Sequence, residues 1–101
     1  MNRDIFEWLT NWYSSNCNDE WEHTYGIKID TLDNPGWSFK ADLVETEEEG
    51  KRVSMKIMNN DNDWFEINSD GEIFTAYGDA SKLQFLMNKF KEFVETIDSQ
   101  A

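Results

Sequence analysis

The chain is poor in the residues that staple, bend and neutralise a fold: one cysteine, one proline, one histidine and five glycines in 101 residues. A lone cysteine excludes an internal disulfide, so a reducing compartment is the simplest expectation. Cations are scarce. Nine Lys and Arg stand against 21 Asp and Glu, a formal charge of −12 with a pI near 4.2. Such a balance argues against nucleic acid and anionic membranes as partners and toward a basic one, although acidity also serves solubility alone. No apolar run approaches the ~20 residues that cross a bilayer, and the opening Met-Asn-Arg-Asp-Ile-Phe-Glu does not read as a secretory leader. A cytoplasmic protein is therefore expected. The phosphate-binding loop, the dinucleotide-binding glycine fingerprint, His-Glu-x-x-His and Gly-x-Ser-x-Gly are missing, so no cofactor is expected. At this length one domain, 1–101, buries roughly 60–65% of its unfolded surface, which allows one modest core.

What is present is concentrated. Four of the five tryptophans, with the histidine, the cysteine and the proline, lie between Trp8 and Trp37. Ile5, Trp8, Leu9 and Trp12 recur at the spacing of one helical face, which predicts an amphipathic helix over residues 3–15. Residues 26–32 and 37–43 each alternate apolar and polar, as half-buried strands do. Between them, Asp33-Asn34-Pro35-Gly36 predicts a turn, with Pro35 fixing φ and Gly36 free to take a positive φ. Glu45 to Gly50 reads as a solvated acidic connection. Alternation predicts three more strands at 51–58, 64–68 and 73–77, joined by Asn59–Asp63 and by a tight turn at Asp70-Gly71. A last helix follows, with Asp79 or Ser81 as its N-cap and an apolar stripe from Leu83 through Leu86, Met87, Phe90, Phe93 and Val94 to Ile97.

The expected fold is α+β: an N-terminal helix, a five-stranded antiparallel meander sheet and a C-terminal helix, with both helices packed on one face of the sheet. The other face then carries Lys28, Asp30, Lys40, Asp42, Lys56, Glu66 and Thr75. Trp64 falls on that side too. It is either an exposed anchor for a partner or a residue at the margin of the core.

The join at 17–25 is chemically dense, with Asp19, Glu20 and Glu22 around Trp21, then His23 and Tyr25. Loops of that composition clamp a helix to a sheet or face a partner. Cys17 and His23 admit a nucleophile and base reading, but no glycine-rich oxyanion turn stands nearby and an acidic surround raises a thiol pKa. One histidine with scattered carboxylates lacks the spacing of a zinc site. Asp61-x-Asp63 with Glu72 imitates a calcium loop, yet Phe65 and Glu66 occupy positions that such a loop reserves for a ligand and a glycine.

The wording Trp8-Leu9-x-x-Trp12-Tyr13, Cys17, Asp19-x-Trp21-Glu22-His23-x-Tyr25-Gly26-Ile27, Thr31-Leu32-Asp33-Asn34-Pro35-Gly36-Trp37 resembles the bacterial immunity protein 53 family, closely from 8 to 43 and in length and element order beyond. The sequence departs from the pattern at Asn18-Asp19-Glu20, where an Asp-Gly-Asp type of turn is expected, which puts the local backbone of that loop in question. The resemblance implies a protein encoded beside a polymorphic toxin that neutralises it by binding. A nuclease-type toxin with a basic surface suits the charge of this chain. The expected contact set is Asp19, Glu20, Glu22 and His23 from the loop, Asp33 and Trp37 from the hairpin turn, and Trp64. Trp21, Tyr25 and Trp37 have a competing role, pinning the loop to the hairpin. Two alternatives stay open: an acidic regulatory module unrelated to toxins, and a small enzyme using Cys17 and His23. The oligomeric state is not legible.

Overall fold

A computed structural model describes residues 4–96; Arg3 of the expected first helix and Ile97 of the last apolar stripe lie outside them. Asp4 opens the first helix, its carboxylate accepting the Phe6 amide at 3.2 Å and satisfying a donor that the first turn leaves free. This helix, α1 (Ile5–Asn16), buries Ile5, Leu9 and Trp12, as the spacing requires. It stops where the Ser15 hydroxyl and Asn16 amide both donate to the Trp12 carbonyl. The join is not an open loop throughout: Trp21–Thr24 forms a single helical turn, α2.

Five strands follow, β1 (Ile27–Leu32), β2 (Gly36–Asp42), β3 (Arg52–Asn60), β4 (Asp63–Asp70) and β5 (Ile73–Gly78), and then α3 (Leu83–Glu95). All pairings are antiparallel within one sheet. The first hairpin has the expected register, with Ile27 opposite Ala41 and Ile29 opposite Phe39. Gly36 does not supply a positive φ there. It pairs with Leu32 as the first residue of β2, and a Cβ on it would run into the Gly78 carbonyl oxygen. Glycine is needed at that position for close approach rather than for turning.

The strand order is β1-β2-β5-β4-β3. Hairpins join β1 to β2 and β3 to β4 to β5, but the expected meander is interrupted once: the chain leaves β2 and crosses to the far edge before β3. The composition of the strands explains this. β5 carries no charged residue and lies in the middle, while β3, with Arg52 and Lys56, is exposed along almost its whole length and forms an edge. In the crossing segment, 43–51, the residues Glu45, Glu47, Glu49 and Gly50 are exposed, as expected of a solvated connection, but the segment is tied down at its ends and at Glu48. Leu43 is fully buried, Glu48 is buried, and the amides of Leu43 and Gly50 donate to the carbonyls of Glu72 and Gly71 in the β4–β5 turn. The Lys51 ammonium pairs with Glu48 at 3.5 Å and donates to the Phe93, Val94 and Thr96 carbonyls, closing the C-terminal end of α3 where the helix dipole favours a cation.

Both helices lie on one face of the sheet. Phe39 and Ala41 of β2, Ile67 of β4 and Phe74 and Ala76 of β5 meet Leu86, Met87 and Phe90 of α3 and Ile5, Leu9 and Trp12 of α1. Phe90 is the hub. Its ring lies 4.9 Å from Trp12, 5.0 Å from Phe74 and 5.4 Å from Phe39, in the edge-to-face and tilted geometries that aromatic quadrupoles prefer. The opposite face is uncovered. Strand alternation places Lys28, Asp30, Lys40, Asp42, Lys56, Glu66, Thr75 and Trp64 on it.

The end of the sheet near α3 is closed by a charged knot rather than by the expected helix cap. Lys82, not Asp79 or Ser81, precedes the first turn of α3, and no side chain caps it. Asp79 instead accepts the Trp64 amide at 2.9 Å, the Ser81 amide and hydroxyl, and the Lys82 ammonium at 2.6 Å. Lys82 also reaches Asp63 at 2.8 Å. Burial alone would raise the Asp79 carboxyl. The Lys82 ammonium and the Ser81 and Trp64 donors outweigh it and hold the group far below the usual carboxylate range.

Candidate functional site

Trp21 shapes the region between α1 and β1. Its side chain is 1% exposed, its indole N–H donates to the Val44 carbonyl at 2.9 Å, and its ring meets Trp12 edge-on at 6.1 Å with Tyr13 and Tyr25 beside it. A buried indole with its one donor satisfied is an anchor for its neighbours. Above it the loop holds itself. The Asn18 side-chain oxygen accepts the Glu20 and Trp21 amides, while the Glu22 carboxylate accepts the Asn18 and Asp19 amides at 3.0 and 2.9 Å. The backbone donors of Glu22 itself, Asn18 and Asp19 keep the Glu22 carboxyl below its usual range, against a smaller opposing effect of burial. Asp19 takes a φ of 76°, the left-handed conformation that glycine adopts freely. It occupies the position where the family pattern leads one to expect that glycine.

Beside this loop lies an open hollow of about 600 Å³, lined by Leu9, Thr10 and Tyr13 of α1, by Glu22, His23 and Tyr25, and by Lys28 and Asp42 at the open end of the first hairpin. Asp42 helps to fix its floor, one carboxylate oxygen accepting the Gly26 amide at 3.0 Å. Tyr13 is 37% exposed. Its phenol is held above its ordinary 10.0, chiefly by the negative charge that the neighbouring Cys17 carries once ionised; like any phenol it is a neutral donor at physiological pH. His23 is exposed in the lining, and Asp19 and Glu20 are exposed in the preceding loop. The hollow therefore offers two phenols, an imidazole, two carboxylates and the Lys28 ammonium, a set suited to holding a polar side chain.

The residues expected to bind a partner fall into two groups. Asp19, Glu20, Glu22 and His23 adjoin the hollow. Asp33 is exposed in the β1–β2 turn, at the far end of β1, roughly 20 Å away at ~3.3 Å per strand residue. Trp37 and Trp64 share that far end and meet one segment: the Trp37 indole donates to the Ala80 carbonyl at 2.9 Å, and the Trp64 backbone pairs with Asp79. Both tryptophans are half-buried. Between the two groups β1 is an exposed sheet edge, with Ile29 42% exposed. Tyr13 and Thr10 were hidden from the sequence reading because they lie on the flank of a helix judged by its apolar stripe. The signal that pointed to them was the spacing of Tyr13 one turn after Leu9. The Cys17 thiol is half-buried and donates to the Tyr13 carbonyl. Among the described residues no hydrogen bond joins it to His23, and no group of three or more His, Cys, Asp or Glu is arranged to hold a metal. No helix among them is long and apolar enough to cross a membrane.

A small α+β domain with a preformed, acid-rimmed concave end has the form of a binding protein. Residues 6–95 match the family model described as Immunity protein 53, and the chain belongs to that family. It is thus an immunity protein, whose partner is a toxin. No curated protein matches the chain, and no solved structure does.

Proposed function

We propose that this chain neutralises its toxin by binding alone, without catalysis, through a surface that begins at the hollow and loop 18–23 and runs along the β1 edge to Asp33. The observation that carries this is the double bracing of loop 18–22 over a buried Trp21, Asn18 accepting the Glu20 and Trp21 amides and Glu22 the Asn18 and Asp19 amides, which presents Asp19, Glu20 and His23 beside the hollow without further ordering. Presenting a preformed surface lowers the entropic cost of association. A protein interface of ordinary size, ~800 Å² per partner, spans the length of β1 and so reaches both groups of residues in one footprint.

In this reading Glu20, Asp19 and Asp33 steer the approach of a basic toxin surface, and Tyr13 and His23 contact a side chain seated in the hollow. Glu22, Trp37 and Trp64 act as positioning residues. A nuclease-type toxin fits the charge, since a phosphate-binding groove must be cationic and a −12 protein both accelerates encounter and occupies such a groove. The compartment in this reading is the cytoplasm, where the toxin would otherwise act, and neither nucleic acid nor membrane is a partner. Co-expression with the toxin domain encoded next to this chain tests the reading: growth is rescued and a stable complex is recovered. Folded protein that neither rescues nor binds would overturn it.

A further inference from the structure

We propose that two copies of this chain pair through β3, edge to edge and antiparallel about Met55, joining two five-stranded sheets into one. β3 ends the sheet, so one side of its backbone has no strand beside it. Edge strands in monomers are usually short or blunted by proline, bulges or charged side chains, lysine above all; β3 has two cations, Arg52 and Lys56, both on its open face. This one spans Arg52–Asn60 without proline, and its one register shift lies at its end, between Met58 and Asn60. On the face that carries the helices, Met55 is 40% and Ile57 44% exposed. The helix layer stops short of them.

The sequence of this edge is self-complementary. Antiparallel pairing about Met55 sets Val53 against Ile57 of the second copy, Met55 against its counterpart, and Ile57 against Val53. The helix-side row is then apolar throughout. On the open face Lys56 meets Ser54 and Arg52 meets Met58, so no two cations stand directly opposite. Charge selects the same edge. β3 is the strand that bears charge but no acid, and in a chain of −12 it is where two copies repel least, and where a basic partner would gain least. The β1 edge and the hollow lie on the other side of the sheet, and such a dimer leaves both of them open.

Size-exclusion chromatography with light scattering on the full chain tests this. We expect a mass twice the 11.9 kDa of one chain, with dimerisation strengthened by salt as the like net charges are screened. Met55→Lys places an ammonium against its counterpart at an exposed site; it should weaken self-association by about tenfold or more with an unchanged circular dichroism spectrum. The register is tested by mild oxidation in a Cys17→Ser background. Met55→Cys should cross-link two copies, whereas Ile57→Cys, lying opposite Val53, should not. A monomer at all concentrations and salt levels would overturn the proposal, as would a dimer indifferent to Met55→Lys. A monomer whose toxin binding is abolished by Met55→Lys would overturn it by assigning this edge to the toxin.

Discussion

Asn18 and Glu22 brace one loop from its two ends. The Asn18 side chain accepts the amide of Trp21 at 2.9 Å and the Glu22 carboxylate accepts the amide of Asn18 at 3.0 Å. The arrangement has the logic of a capping box, each side chain satisfying donors that a helical start leaves free. It separates two glutamates that look alike in the sequence. Glu22 is spent on its own loop, whereas Glu20 is exposed.

Glu22→Ala should therefore lower the melting temperature measurably, and Glu20→Ala should leave it unchanged. The Glu22 carboxyl lies below its ordinary 4.5, so its contribution is complete above that value and fades as pH falls through the folded-state value. Thermal melts of the two variants at neutral pH check the split. Equal melting temperatures would show that the loop does not depend on the Glu22 carboxylate.

Asp19→Gly should stabilise the protein. A φ of 76° costs an ordinary L-residue on the order of 1–2 kcal/mol, less for aspartate, while glycine adds some entropy to the unfolded chain. The net expectation is a gain of about 0.5 kcal/mol, measured by urea unfolding. A loss would mean that the Asp19 side chain contributes more than its backbone strain removes.

Asp79→Asn should cost on the order of 2 kcal/mol at neutral pH, because it removes the charge that faces Lys82 in a buried site. The sign of the pH dependence follows from the lowered pKa. Folded Asp79 binds its proton far below the ordinary 3.8, so the unfolded chain takes up protons first as pH falls. The contribution is complete above that ordinary value and is lost as pH drops below it. Wild type and variant should accordingly differ most near neutrality and converge in acid. Urea midpoints from pH 7 to pH 3 test this, and a constant difference would contradict it.

Much of the fold was legible because alternation and helical spacing report burial directly. The five strands, both long helices and the shared helix face all follow from where Phe39, Phe74, Leu86 and Phe90 fall in their periods. The strand order was not, because pairing partners depend on the whole sheet: beside β1, β2 takes β5 rather than β3 as its second neighbour. The uncharged run Ile73–Tyr77 and the cations Arg52 and Lys56 were the available clues to which strand sits in the middle and which at the edge. Composition placed Glu45, Glu47, Glu49 and Gly50 in solvent, where they are, but did not show that Glu48 among them is buried beside a lysine that closes α3. Of the site, the density of residues 18–25 was visible, but the division between exposed Glu20 and committed Glu22 arises only from the backbone geometry that Asn18 sets. The hollow itself needs α1 and β1 side by side, which local sequence does not encode.

The most direct measurement is the affinity of the purified chain for its toxin domain, compared by calorimetry among wild type, Glu20→Lys, Tyr13→Ala and Lys56→Glu. Docking at the hollow and the β1 edge predicts that Glu20→Lys and Tyr13→Ala each weaken binding by about tenfold or more with an unchanged circular dichroism spectrum, while Lys56→Glu, on the far edge, binds as wild type. Wild-type affinity in both loop-side variants, or a loss confined to Lys56→Glu, would place the toxin elsewhere on the molecule.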